Sequence, residues 1–180
     1  MVPKIAVSVG HFPGEDKKDI EYPANVQVAT LLHSLFVVNG FACDIFKGML
    51  IEKVKGINAW GATAAVECHF NQLHWPFDPK EYGAGFETCV WPKSLKAKAW
   101  AGHVLTEFGE RLPFDRRGTG ILERGDLYFC KHTHCPALII EPLFLDNPLE
   151  SVFLKMKRGY EFIAASVFHG TVRWLSENPT

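Results

Sequence analysis

The sequence predicts a single α/β domain, a twisted and mostly parallel sheet with helices on both faces. Three observations carry that expectation. Short runs of strand-type residues alternate along the chain with stretches whose apolar residues recur at helical spacing. Several of the strand runs, Ala137-Leu138-Ile139-Ile140 most clearly, are apolar on both faces, as in a sheet covered on both sides. The 180 residues are 47 % hydrophobic and 22 % charged, enough for one sizeable core and unlike a disordered chain. One domain over residues 1–180, with no appended module, is the simplest division.

Each element has its own signal. Ile5, Val7 and Val9 alternate with smaller residues and Gly10 ends the run, which predicts a first strand. Residues 11–19 form a polar loop with Pro13 and Gly14. Val28, Leu31, Leu32, Leu35 and Val38 then recur at helical spacing, and Gly40 is placed to end that helix. Pro23 is tolerated only in a first turn, so the helix starts over residues 19–22. Residues 41–46 read as a second strand and 51–60 as a second helix. Residues 62–69 read as a buried strand whose exposed end is His69-Phe70-Asn71. A strand at Phe86–Val90 and a long amphipathic helix over 93–110 follow. The stretch 111–133 is ambiguous, except that Arg116-Arg117-Gly118-Thr119-Gly120 is expected to be loop. Ala137–Glu141 is the clearest central strand and ends in a carboxylate. Asn147 caps a short helix that Pro148 opens, and 159–175 is the closing helix.

Composition narrows the function. The 19 Lys and Arg balance 20 Asp and Glu for a net charge of −1, with no basic block. Nucleic-acid binding by counterion release is therefore disfavoured. Five irregularly spaced cysteines argue for reduced thiols rather than a disulfide framework. No apolar run approaches the ~20 residues of a membrane span. The opening strand is too short and interrupted for a secretory signal. The expectation is a chain made in the cytoplasm, without membrane insertion.

Ligands of such sheets gather beyond the carboxyl ends of the strands. His11, His69 and Glu141 each lie within two residues of such an end, and Glu21 lies at a helix start. A hydrolytic zinc takes three protein ligands from His and Glu and keeps a fourth position for water. A further carboxylate is needed to take the water's proton. Two histidines and one of the two glutamates would complete the metal and leave the other as base. Taken singly, each residue has a plainer reading: a strand-end His is usually a hydrogen-bonded loop residue, and Glu21 is a first-turn acid favoured by the helix dipole. Glu141 is different, since a carboxylate after Leu138-Ile139-Ile140 is costly to bury without a partner.

Four motifs in order give a family resemblance. Gly10-His11 ends the first strand, and Glu21 and Asn25 open the following helix, with Gly40 before the second strand. Asn58, the strand residues Ala64-Ala65-Val66-Glu67-Cys68 and His69-Phe70-Asn71 form the next signature, followed by Gly85-Phe86-Glu87. The last comprises Pro136, Ala137, Glu141, Phe144 and Asn147, with Ile139 where Leu is usual. Together they resemble the zinc-dependent N-acetylmuramoyl-L-alanine amidases of the amidase-3 family, which includes bacterial wall amidases and phage endolysins. The resemblance implies one Zn2+ held by His11, Glu21 and His69, with Glu141 as the catalytic carboxylate. The implied substrate is peptidoglycan, cut at the amide between N-acetylmuramate and L-alanine. It also suggests a compact, monomeric endolysin-like enzyme that reaches the wall from the host cytoplasm, with an exported bacterial enzyme as the other origin.

The sequence departs from the family pattern at Phe12, where Gly is usual, and at Ser8, near which an acidic residue is common. An Arg frequent after the second strand is missing, with Lys47 the nearest basic residue. Glu87 is either a partner of a ligand histidine or an ordinary strand acid. Cys130-Lys131-His132-Thr133-His134-Cys135 is dense in soft ligands, but its spacing does not suit a structural zinc site. Its histidines could alternatively line the cleft beside Glu141. Two other readings remain in view: a zinc carboxypeptidase-like or acyl-amino-acid amidohydrolase, and a non-catalytic cell-wall-binding protein.

Overall fold

The computed structural model describes residues 2–15, 20–72, 83–156 and 158–178. In chain order they form β1 (Lys4–Val9), α1 (Glu21–Val38), β2 (Ala42–Phe46), α2 (Leu50–Trp60), β3 (Ala64–Cys68), β4 (Phe86–Val90), α3 (Leu95–Arg111), β5 (Arg116–Glu123), α4 (Tyr128–His132), β6 (Ala137–Glu141), α5 (Pro148–Lys155) and α6 (Gly159–Glu177). One six-stranded sheet runs in the order β2-β1-β3-β6-β4-β5. β1, β2, β3 and β6 are mutually parallel, β4 is antiparallel to β6, and β5 runs parallel to β4. The expected α/β architecture is what the chain adopts.

Alternation along each strand sends successive side chains to opposite faces. Ile5, Val7 and Val9 of β1, with Val66, Leu138 and Ile140, pack with Val28, Leu32 and Phe36 of α1, Trp100 and Val104 of α3, and Ile163 and Val167 of α6. Ala6, Ala65, Ala137 and Ile139 face the other way, against Val54 and Ile57 of α2 and Phe129 of α4. Of the helical stripe read in α1, Val28 and Leu32 are fully buried and Leu31 and Leu35 pack beside them. Val38, at the helix end, stands exposed instead.

The principal correction is at residues 116–120, which are not loop but the first half of β5. Among the described residues β5 is an edge strand, paired with β4 alone, and its register shifts between Phe86 and Thr88. Gly118 and Gly120 have φ of +53° and +76°, so the glycines that suggest a turn serve an irregular strand. The ambiguous stretch also holds α4. The expected helix start over residues 19–22 falls at Glu21, and residues 16–19 lie outside the described residues.

Candidate metal centre

β1, β3 and β6 are adjacent and parallel, so their carboxyl ends share one rim. Past β1, the Gly10 N–H donates to the Cys68 carbonyl at 2.9 Å, tying the two strand ends together. His11 then takes a left-handed φ of 61°, alone among described non-glycine residues. That conformation costs about 1–2 kcal/mol for an L-residue. Its ring stands over the rim, with Nε2 3.1 Å from Glu21 Oε2 and Nδ1 3.2 Å from Glu15 Oε2. Gly10 cannot carry a side chain: a Cβ there would lie 2.5 Å from His69 Cε1 and Nε2 and 2.6 Å from the Cys68 oxygen. The Gly-His pair is thus a steric requirement of the second histidine.

Glu21 is the first residue of α1 and is 6 % exposed. Its Oε1 accepts from the Phe70 N–H at 3.1 Å, from Asn25 Nδ2 at 3.3 Å, and sits 3.0 Å from His69 Nδ1. Asn25 also donates to the Gly10 carbonyl at 3.2 Å, which explains a glutamate and an asparagine one helical turn apart. His69 directly follows β3, its N–H donating to the Ile140 carbonyl at 3.1 Å. Side-chain donor atoms of His11, Glu21 and His69 all lie within 4.8 Å of one another.

Burial alone would raise the Glu21 carboxyl, but hydrogen bonds from both histidines outweigh it and hold it well below the usual range. The Glu21 hydrogen bond raises His11. Burial opposes charge on His69, yet bonds to Glu21 and Glu67 push it up to about 10. A carboxylate kept charged at the centre of two imidazoles is an attractive place for a cation.

Glu141 ends β6 across the same cleft. Burial raises its pKa above that of an ordinary carboxyl, and the Cys89 thiol approaches its Oε1 at 3.8 Å. Two hollows meet at Glu141 and the histidines. One, about 240 Å3, is lined by Phe12, Leu50, Arg124, Tyr128 and Ile139 among others. The other, about 410 Å3, is more polar and includes Glu15, Glu21, Asn71 and Gln72.

All four residues singled out from the sequence therefore meet at one rim. Among the described residues Glu87 does not partner a ligand histidine: it accepts from Asn71 Nδ2 at 2.7 Å and Arg117 Nη1 at 3.2 Å. Arg117 also stacks 5.0 Å above the Phe144 ring, so this network braces the far wall. Cys130, His132, His134 and Cys135 do not converge on one point. Cys130 is buried, the His132 ring stacks on Tyr128, and the His134 N–H donates to Asn58 Oδ1 at 2.8 Å. Neither histidine lines the hollows beside Glu141. Asn58 also donates to the His132 carbonyl at 2.9 Å, pinning the approach to β6.

Sequence reasoning passed over Glu67 and Lys53, both buried, with Lys53 Nζ 2.6 Å from Glu67 Oε1. A signal existed: a charge inside a strand apolar on both sides requires a buried partner.

The rim of this α/β domain gathers two histidines and two glutamates around a cleft, a donor set able to hold a metal ion. The chain belongs to the N-acetylmuramoyl-L-alanine amidase family Amidase_3, which it matches over residues 13–172. Solved structures agree in fold. The CwlD amidase from Clostridioides difficile, in complex with the GerS lipoprotein, is 21 % identical with a TM-score of 0.82, covering 97 % of this chain and 99 % of its own. AmiC2 of Nostoc punctiforme is 16 % identical at a TM-score of 0.84, covering 97 % of both chains. The catalytic domain of the CD27L endolysin targeting Clostridia difficile is 26 % identical at 0.77, covering 95 % of this chain and 97 % of its own. A search of curated protein sequences finds no significant match.

Proposed function

We propose that this chain is a zinc-dependent N-acetylmuramoyl-L-alanine amidase in which His11, Glu21 and His69 hold the metal and Glu141 handles the proton. The observation that carries the reading is the meeting of these donors, within 4.8 Å of one another, beside a carboxylate in an open cleft. Membership of the family supports peptidoglycan amidase activity. Two imidazoles and a carboxylate are the donor set of hydrolytic zinc sites, and a buried Glu21 with lowered pKa fits a cation between the rings. Zinc, when bound, supplies Lewis acidity that polarises an amide carbonyl and lowers the pKa of water to about 7.

The protein's own groups do the rest. Glu21 and the ring edges of His11 and His69 fix a point at the rim, and hollows to either side leave room for a substrate extending both ways. Glu141, raised by burial, accepts a proton from the attacking water and returns it to the departing L-alanine amine. Likeness to the CD27L endolysin catalytic domain supports an endolysin-type role. On this reading the chain is a monomer, made in the host cytoplasm, that acts on the wall.

Digestion of purified sacculi tests the reading. New L-alanine amino termini should appear while glycan strands stay uncut, and a chelator should stop the reaction until Zn2+ is restored. Release of carboxyl-terminal amino acids instead would favour the carboxypeptidase-like alternative, and no digestion would leave a wall-binding protein.

A further inference from the structure

His69 presents two ring edges to two different carboxylates. Nδ1 faces Glu21 Oε1 at 3.0 Å, on the side where the donor atoms converge. Nε2 faces Glu67 Oε2 at 3.4 Å, on the side of the sheet. Gly10 backs the same edge so closely that a Cβ there would meet Cε1 and Nε2 at 2.5 Å. The ring is therefore clamped in one orientation.

Glu67 is itself held rigidly. Its Oε1 accepts from Lys53 Nζ at 2.6 Å and from Ser8 Oγ at 2.9 Å. Lys53 Nζ also donates to the Val9 carbonyl at 2.5 Å, so the lysine is tied to the end of β1. Lys53 and Glu67 are 4 % and 2 % exposed. An ion pair this deep is a poor source of stability, since apolar residues of similar volume often do as well or better. Its location beneath a candidate ligand needs another explanation. Ser8 and Glu67 face each other in the register of β1 and β3. An acidic residue that the family pattern suggests near position 8 is thus provided here from the neighbouring strand.

We propose that Glu67, fixed by Lys53 and Ser8, is the positioning residue of His69: it holds a hydrogen on Nε2 and so presents the Nδ1 lone pair to the metal. The inference rests on the reading of His69 as a ligand. Carboxylates behind metal-binding histidines set both tautomer and ring orientation. Lys53 neutralises the buried charge without occupying Oε2, and that oxygen stays aimed at the ring.

Zinc titration against a competing chelator tests this, with nitrogen-15 NMR of the histidine rings. In the wild type about one Zn2+ should bind per chain, and His69 should carry its hydrogen on Nε2. Glu67→Gln should weaken zinc binding by roughly 10–100-fold and loosen that tautomer preference. Should this variant fold poorly, Lys53→Met with Glu67→Leu removes both charges together and should show the same loss. Unchanged zinc affinity in either folded variant would overturn the proposal, even if the melting temperature fell. Failure of the ligand reading looks different: His69→Ala would then leave zinc affinity intact.

Discussion

His11 occupies the most constrained backbone position at the rim, with a left-handed φ of 61° between a strand that ends and a loop that turns away. Its neighbour Gly10 is equally constrained, by the His69 ring rather than by φ. Gly10→Ala should therefore destabilise the fold by about 1–3 kcal/mol through overpacking and weaken zinc binding as well, checked by denaturant melts and zinc titration. The pH behaviour follows from the same residues. His69 is raised from 6.5 to about 10, so its contribution to metal-free stability is complete below pH 6.5 and is lost as pH rises towards 10. Melting temperatures of metal-free protein should show that decline, and zinc-loaded protein should not, since the metal takes the proton's place. Glu141 is raised by burial, so the acid limb of kcat/KM should lie above the ordinary carboxyl value of 4.5. The meeting of His11, Glu21, His69 and Glu141 at one rim was legible because each marks the end or start of an element. Glu67 was hidden: its partner Lys53 is 14 residues earlier on another element, and only the packing of α2 on the sheet joins them.

Among the elements, those with strict periodicity were readable and the edge of the sheet was not. α1, α3 and β6 announce themselves through apolar spacing. β5 was obscured because its glycines carry the composition of a turn, while pairing with β4 decides its conformation. Nor could alternation alone reveal that β4 enters antiparallel beside β6. Asn147 illustrates a local signal that the structure extends. Its Oδ1 accepts from the Leu149 and Glu150 N–H groups at 3.0 and 3.3 Å, as a helix cap should, while Nδ2 donates to the Gly83 carbonyl at 2.9 Å. Asn147→Ala should lower stability by about 1–2 kcal/mol in thermal melts, and Asn147→Asp should restore the cap but not the bond to Gly83, because its carboxylate would face that carbonyl oxygen, so it recovers only part of the loss.

For the molecule as a whole, the sheet places its polar work at one end and leaves two apolar cores behind it. Strand order puts β1, β3 and β6 side by side, and this adjacency brings residues 11, 69 and 141 together. Glu21 completes the group because α1 follows β1 directly and begins at the rim. Zinc that binds only the folded state should raise the melting temperature in proportion to the logarithm of its free concentration. The proposed division of labour gives three side chains to the cation and Glu141 to the proton. Glu141→Gln measured for zinc content and for release of L-alanine amino termini from sacculi tests it most directly. Retention of about one zinc per chain with a loss of roughly 10²–10⁴-fold in rate is expected; undiminished release, or loss of the metal itself, would contradict it.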